Sequence, residues 1–346
     1  MDKKVLIIIV TYNAAEYIGA CLSSLAKINY PRDRFDILVV DNASTDRTTD
    51  AIKDFVEIKL LVNGKNVGFA AGNNIGLKYA VDNGFDYVYL LNQDTEVDPE
   101  FLAKAVELAR IDEKIAAVQS KLLLFDTKKI NSIGNEIHYL GFAFAGGYQL
   151  SDRQMSAREI TYASGAACLL RIFALKKIGL FNADFFMYHE DADLGWRLWL
   201  SGWKVMLAPE SVVYHKYEFS RSIKKYYYME RNRFLVILQN YKLATILLIA
   251  PAGILMDLAT LFYSFFSGWW LEKLKVYVYF LSWKNWAKII KARRKVQRLR
   301  VVGDREVVKR FVGKIEFQDV ANPLLKYIAN PLFNLYWQIV KKLIWW

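Results

Sequence analysis

The feature that most constrains this chain is the run VLIIIV at positions 5–10, six aliphatic residues in a row, five of them β-branched. A sheet with one wet face would show alternation. An unbroken apolar strand needs cover on both faces, as strands of a parallel sheet have. The run stops at Thr11-Tyr12-Asn13, and 17–26 follows with helical spacing. The unit then repeats. A strand at 35–40 halts at Asp41-Asn42 before a helix at 48–56, and a strand at 58–62 leads into a helix at 68–80. A strand at 87–91 ends in Asn92-Gln93-Asp94, and a later β run at 211–214 ends at His215. Strands alternating with helices predict an α/β fold on a mostly parallel sheet. Each strand delivers polar residues at its carboxyl end, the edge where open α/β sheets bind ligands.

Composition narrows the partners. The 346-residue chain carries a net charge of +12, which predicts an anionic partner: nucleotide, nucleic acid or lipid headgroups. Its two cysteines, Cys21 and Cys168, lie in apolar contexts without Cys/His spacing, so no disulfide framework or zinc site is expected and a reducing cytosol fits. The N-terminus reads as a buried first strand rather than a signal peptide, because its apolar run is short and ends in a polar turn.

Four constellations carry chemistry. Asp41, at a strand end in VVDNASTDRT, can accept from a nucleobase imide or a ribose hydroxyl; alternatively it and its neighbours cap the next helix. NGKNVGFAAGNNIG fits neither GxGxxG nor a P-loop. Its glycines four apart suit close helix packing, whereas Asn66, Asn73 and Asn74 are harder to explain that way. Asp94 projects from a strand end and is suited to Mg²⁺ or Mn²⁺, ions that take one or two protein carboxylates and complete their shell with phosphate and water. His215 is a candidate second metal ligand. The fourth is MYHEDADLGWR, with Glu190, Asp191 and Asp193 in four residues and Arg197 one turn on. A helix start explains one or two acids through the exposed N–H groups and the dipole, and Asp193–Arg197 suits an i,i+4 pair, but three acids exceed a cap.

In this order VTYNAAEYIGACLSSL, VVDNASTDRT, NVGFAAGNNIGLKYA, LLNQDTEVDP, the stretch from ASGAACLL through VVYH, and ERNRFLVIL resemble family-2 glycosyltransferases, specifically bacterial rhamnosyltransferase-like members of cell-surface polysaccharide synthesis. The resemblance covers roughly residues 4–235. It implies a GT-A fold (Rossmann-like), a nucleotide-diphosphate sugar donor such as dTDP-rhamnose or a UDP-sugar, and inversion at the anomeric carbon. By position, Thr11, Asn13, Asp41 and Asn66 resemble the nucleoside-contacting residues, with Gly68, Asn73 and Asn92 completing the donor set. Asp94 resembles the last acid of the DxD metal motif, whose first position here is Asn92. Asp191 resembles the catalytic base, with Glu190 on an acceptor hydroxyl. The QxxRW motif of processive synthases is absent, which favours single additions. The rival readings are a nucleotidyltransferase, which VTYNAAEYIG disfavours for want of basic residues, and a nucleic-acid-binding protein, disfavoured because much of the basic charge adjoins an apolar segment.

That segment begins beyond a boundary expected near residue 220, dividing a catalytic domain (1–220) from a helical, basic and aromatic region (221–346). The stretch 243–266 could cross a bilayer of about 30 Å, yet it contains Pro251 and Asp257, and an acid at the bilayer centre costs roughly 2.5–3.5 kcal/mol. Basic residues flank it: Arg221, Lys224, Lys225, Arg231 and Arg233 before, and a run from Lys284 to Arg300 after. One span would export the second cluster against the positive-inside tendency. A shallow hairpin with arms 243–266 and 276–290 avoids this, lying on the cytoplasmic face of the plasma membrane. Trp269, Trp270, Trp283 and Trp286 would then sit at headgroup depth, with YWQIVKKLIWW in the same interface. A two-span topology and an oligomer burying two core helices are the alternatives. The expected partners are therefore a nucleotide sugar, a lipid-linked or glycan acceptor and an anionic membrane surface, with no nucleic acid.

Overall fold

A computed structural model describes residues 3–217, 223–316, 323 and 325–346. The expected boundary near 220, and Arg221, lie outside the described residues. The chain forms two compact units, one of 1–135, 145–198 and 203–217, the other of 136–144, 199–202 and 218–346.

In the first unit, β1 (Val5–Thr11), β2 (Phe35–Asp41), β3 (Ile58–Val62) and β4 (Tyr87–Asn92) are parallel in the order β3-β2-β1-β4. The same sheet is completed by β5 (Thr95–Val97), β6 (Ile115–Leu124), β7 (Ile130–Ser132), β8 (Arg158–Glu159), β9 (Ala167–Arg171) and β10 (Lys204–His215). β9 runs antiparallel between β4 and β6, β10 lies parallel to β6, and β5 and β8 pair antiparallel with β10. Helices α1 (Ile18–Leu25), α2 (Thr48–Lys53), α3 (Gly68–Asp82), α4 (Phe101–Ile111), α5 (Ile172–Ile178) and α6 (Glu190–Leu200) accompany this sheet. Val5 to Ile9 are fully covered, as their unbroken pattern requires.

The glycines of α3 serve packing. A methyl group on Gly76 would stand 2.6 Å from the Ile8 side chain, and one on Gly72 2.9 Å from Val10, so α3 lies against β1 with no room for a side chain. The registers Thr11↔Asp41 and Val10↔Asn92 bring the three polar strand ends to one rim.

The second unit is built on α7 (Lys225–Asn240), α8 (Leu243–Phe266), α9 (Trp270–Leu281), α10 (Trp283–Arg298), α11 (Asp304–Val307) and α12 (Asn330–Leu343). Buried Asp304 fixes the start of α8, accepting from the Lys242 N–H at 2.8 Å and from the Thr245 hydroxyl. Among the described residues α8 is the one helix long and apolar enough to cross a membrane, and half of its residues are exposed. Asp257 inside it is paired: Lys273 Nζ lies 2.7 Å away, and the Tyr277 hydroxyl donates to it at 2.8 Å. Lys273 also bridges Glu230, which Arg233 grips through both Nε and Nη2 at 3.1 and 3.0 Å.

The hairpin arm expected at 276–290 is corrected by the structure, which breaks it at Ser282. Ser282 is extended, and Asn285 Nδ2 and Trp286 Nε1 donate to the Tyr279 and Phe280 carbonyls, closing α9 where a helix would otherwise continue. Trp269 is also not at a surface: it is buried and stacked on Tyr226 with ring centroids 4.8 Å apart. In the tail, Trp337 is buried flat against Tyr139, whereas Leu332, Leu335, Ile339 and Leu343 stay exposed.

Candidate active site

The rim is wired together by short hydrogen bonds. Thr11 Oγ1 donates to Asp41 Oδ1 at 2.9 Å, and the Ser44 N–H donates to Asp41 Oδ2 at 2.9 Å. Asn13 takes a left-handed backbone (φ 49°) and accepts from the Thr45 N–H at 2.9 Å. Gln93 accepts from the Tyr12 N–H at 2.9 Å, tying the end of β4 to that of β1. Thr11 and Asp41 are buried, Asn92 is half-buried, and Asn13 is exposed.

The acidic cluster joins this rim through β9. Because β9 is antiparallel to β4, its entry lies beside the exit of β4, and the Asn92 N–H donates to the Ala166 carbonyl at 2.9 Å. One residue earlier, the Gly165 N–H donates to Asp191 Oδ2 at 3.3 Å, while Asp191 Oδ1 accepts from the Ala192 N–H at 2.8 Å. Burial lifts the Asp191 carboxyl to about 6 against the pull of these N–H groups. At a helix start the dipole alone would hold it low, but desolvation wins. Asp191 is therefore ionised at pH 7 and more basic than an ordinary aspartate. Glu190 is pushed well above the usual carboxylate range, first by burial and then by the Asp191 charge. Its Oε2 is buried with no hydrogen-bond partner among the described residues.

Asp193 and Arg197 brace the site. Arg197 Nε lies 2.8 Å from Asp193 Oδ2, and its remaining N–H groups donate to the Ile178, Gly179 and Leu180 carbonyls at 3.3, 3.2 and 3.0 Å. The loop leading into α6 is strained: Phe186, Tyr188 and His189 have φ of 65°, 64° and 67°. Such outliers cost on the order of 1–3 kcal/mol each and gather where surrounding structure fixes a functional geometry.

At the other end of the rim His215 Nε2 lies 3.2 Å from Asp94 Oδ1, and His215 Nδ1 lies 3.0 Å from Asn131 Oδ1. The Asn131 oxygen only accepts, so Nδ1 donates to it and leaves Nε2 facing the Asp94 carboxylate, where a proton or a cation bridges the two. Among the described residues no third His, Cys, Asp or Glu joins them. One carboxylate and one imidazole suit a divalent ion that takes its other ligands from phosphate and water.

Three expected donor-site residues have local tasks. Asn73 is buried, and its amide donates to the Phe69 carbonyl at 3.0 Å, one turn back in its own helix. Gly68 (φ 84°) is glycine because a side chain would strike Phe186, 2.5 Å away. Asn66 accepts from the Gly68 N–H at 2.9 Å, forming the turn into α3. Sequence reasoning missed Gly165, Gln93 and Asn131, which act through backbone or second-layer contacts, and left Asn74 unexplained. Asn74 grips the Phe181 backbone from both sides, at 2.9 and 3.0 Å.

Residues 6–179 match the model of the family described as glycosyl transferase family 2, half of the chain. The chain belongs to glycosyl transferase family 2. Among relatives of this family-2 chain, the poly-beta-1,6-N-acetyl-D-glucosamine synthase of Staphylococcus epidermidis is 28% identical over 204 residues, 58% of this chain and 47% of the relative. The N-acetylglucosaminyl-diphospho-decaprenol L-rhamnosyltransferase of Mycobacterium tuberculosis is 26% identical over 231 residues, 60% of this chain and 75% of that one. The chain spans about half the length of the first of these. Solved structures share its fold. The mannosyltransferase PcManGT from Pyrobaculum calidifontis, in complex with GDP-Man and Mn²⁺, matches with TM-score 0.53 at 18% identity, covering 82% of this chain and 88% of that one. S. aureus TarS 1-349 in complex with UDP matches with TM-score 0.51 at 19% identity, covering 98% and 90%. The family-2 domain here has the GT-A architecture, a mixed α/β sheet followed by C-terminal helices.

Proposed function

We propose that this protein transfers one sugar from a nucleotide-diphosphate donor, dTDP-rhamnose or a UDP-sugar, to a lipid-linked glycan acceptor in cell-surface polysaccharide synthesis, with inversion. The observation that carries it is Asp191: a carboxylate raised to about 6 and held by the Gly165 N–H beside three polar strand ends. Inverting transfer is a single in-line displacement that needs a base for the acceptor hydroxyl. Asp191 takes that proton. Glu190, whose buried Oε2 has no hydrogen-bond partner among the described residues, holds and orients an acceptor hydroxyl. Thr11, Asn13, Asp41 and Asn66 receive the nucleoside, with Gly68, Asn73 and Asn92 completing the donor site. Asp94 and His215 would hold Mg²⁺ or Mn²⁺, which when bound neutralises charge on the departing diphosphate. The relative acting on a diphospho-decaprenol substrate supports a lipid-linked acceptor, and the exposed apolar and basic helices of the second unit support attachment to the cytoplasmic face of a membrane.

A screen of nucleotide sugars for nucleoside diphosphate release tests this. Release should require a divalent ion, stop in EDTA, return with Mg²⁺ or Mn²⁺, and fall with weakened donor affinity in Asp94→Ala. Pyrophosphate release would instead mark a nucleotidyltransferase, and full activity in chelator would remove the metal from the proposal.

A further inference from the structure

A groove of about 410 Å³ runs through the second unit between α7, α8, α9 and α10, lined by Phe234, Ile246, Ala250, Gly253, Phe280 and Trp286 among others. Its volume is that of a small-ligand pocket, which typically spans roughly 300–1,000 Å³. The lining is hydrocarbon and aromatic apart from Arg233, Asp257 and Tyr277, and these three are engaged in the ionic cluster of Glu230 and Lys273. Their charges cancel within the cluster, two acids against two bases, so the groove offers no net charge to an occupant. Gly253 leaves it open, since a methyl group there would meet only Leu140, at 3.9 Å. The surface continues it: Ile254 and Leu258, both lining residues, are 64% and 58% exposed.

Helix α10, which supplies Trp286, is strongly basic. Lys284, Lys288, Lys291, Arg294, Lys295 and Arg298 are exposed on it, and it contains no acid. A neutral apolar groove bordered by a cationic helix complements one kind of occupant, an amphiphile with a hydrocarbon chain and an anionic phosphate head. We propose that this groove binds the hydrocarbon chain of the lipid-linked acceptor, with its phosphate head toward the basic face of α10. The assignment rests on the lipid-linked reading of the acceptor given above. Gly253 and Ala250 set the depth available to the chain, and Trp286 forms one wall. Each methylene withdrawn from water strengthens binding by roughly fourfold until the groove is full.

The test uses the full chain in phosphatidylcholine–phosphatidylglycerol vesicles and a prenyl phosphate bearing a photoreactive diazirine on its chain. Cross-links should map to 233–258 and 277–286, disappear with excess unlabelled prenyl phosphate, and fall at least tenfold in Gly253→Leu and in Ala250→Phe. Cross-links elsewhere, or adducts that unlabelled prenyl phosphate leaves in place, would overturn the assignment on the wild-type protein alone. Transfer assays with a water-soluble acceptor separate the two ideas. A groove variant that keeps that activity but loses lipid-linked transfer supports both. Competed cross-links in a protein that transfers only to soluble acceptors would uphold the groove and refute the lipid-linked acceptor.

Discussion

Asp191 is poised by two opposing effects, burial that raises its carboxyl and backbone N–H groups that restrain the rise. Two outcomes follow. Asp191→Asn should lower turnover by roughly 10²–10⁴-fold with donor affinity little changed, and retention of turnover within tenfold would remove Asp191 as the base. In the wild type, kcat/KM should fall tenfold per pH unit below about 6, because the protonated carboxyl cannot accept, and the variant's residual rate should lack this limb. Stability runs the other way. A carboxyl raised above its ordinary value of 3.8 favours the folded state while protonated, and that advantage is lost as pH rises from about 4 through 6. Asp191→Asn removes the buried charge, so at pH 8 it should melt higher, by about 2–4 °C for on the order of 1 kcal/mol. A variant that is less active and also less stable would point to damaged packing.

Helix α6 is held by a fork rather than by its own propensity. Arg197→Met loses the Asp193 ion pair and three carbonyl bonds to 178–180, so unfolding should become easier by about 3–5 kcal/mol. Arg197→Lys should recover little, since an ammonium cannot span both partners. An unchanged denaturation midpoint in Arg197→Met would show that other contacts hold α6. The strands of the parallel half were legible because each is an apolar run ending in polar residues. β6 was not legible. It carries Gln119 and Ser120 in the interior, and their partners are remote: Gln119 bonds Ser132 and the Ser164 N–H, and Ser120 lies between Tyr89 and Ser211. No local pattern announces a polar residue satisfied from ninety residues away. The site was legible for the same reason in reverse: Thr11, Asp41, Asp94 and the acidic cluster interrupt patterns that would otherwise be apolar or sparse in charge. Gly165, which acts through its backbone N–H, leaves no such mark.

At the scale of the whole molecule, the net charge of +12 and the exposed apolar helices predict one behaviour, attachment to an anionic bilayer. The full chain should sediment with phosphatidylglycerol-containing vesicles. Replacing the six exposed basic residues of α10 by Gln should weaken this greatly, at about 1 kcal/mol per residue near the surface. A full chain that stays in the supernatant as a dimer at low salt would mean that its apolar helices face each other instead. Salt distinguishes two populations of charge in this protein. At 1 M ionic strength screening acts within about 3 Å, enough to silence the solvated lysines and arginines of α10. The quartet of Glu230, Arg233, Asp257 and Lys273, with its two cations almost wholly enclosed, lies beyond the reach of mobile ions. A brine wash therefore peels away electrostatic adhesion while leaving the helices clasped, and the fraction that still floats with the lipid afterwards weighs the greasy contribution by itself.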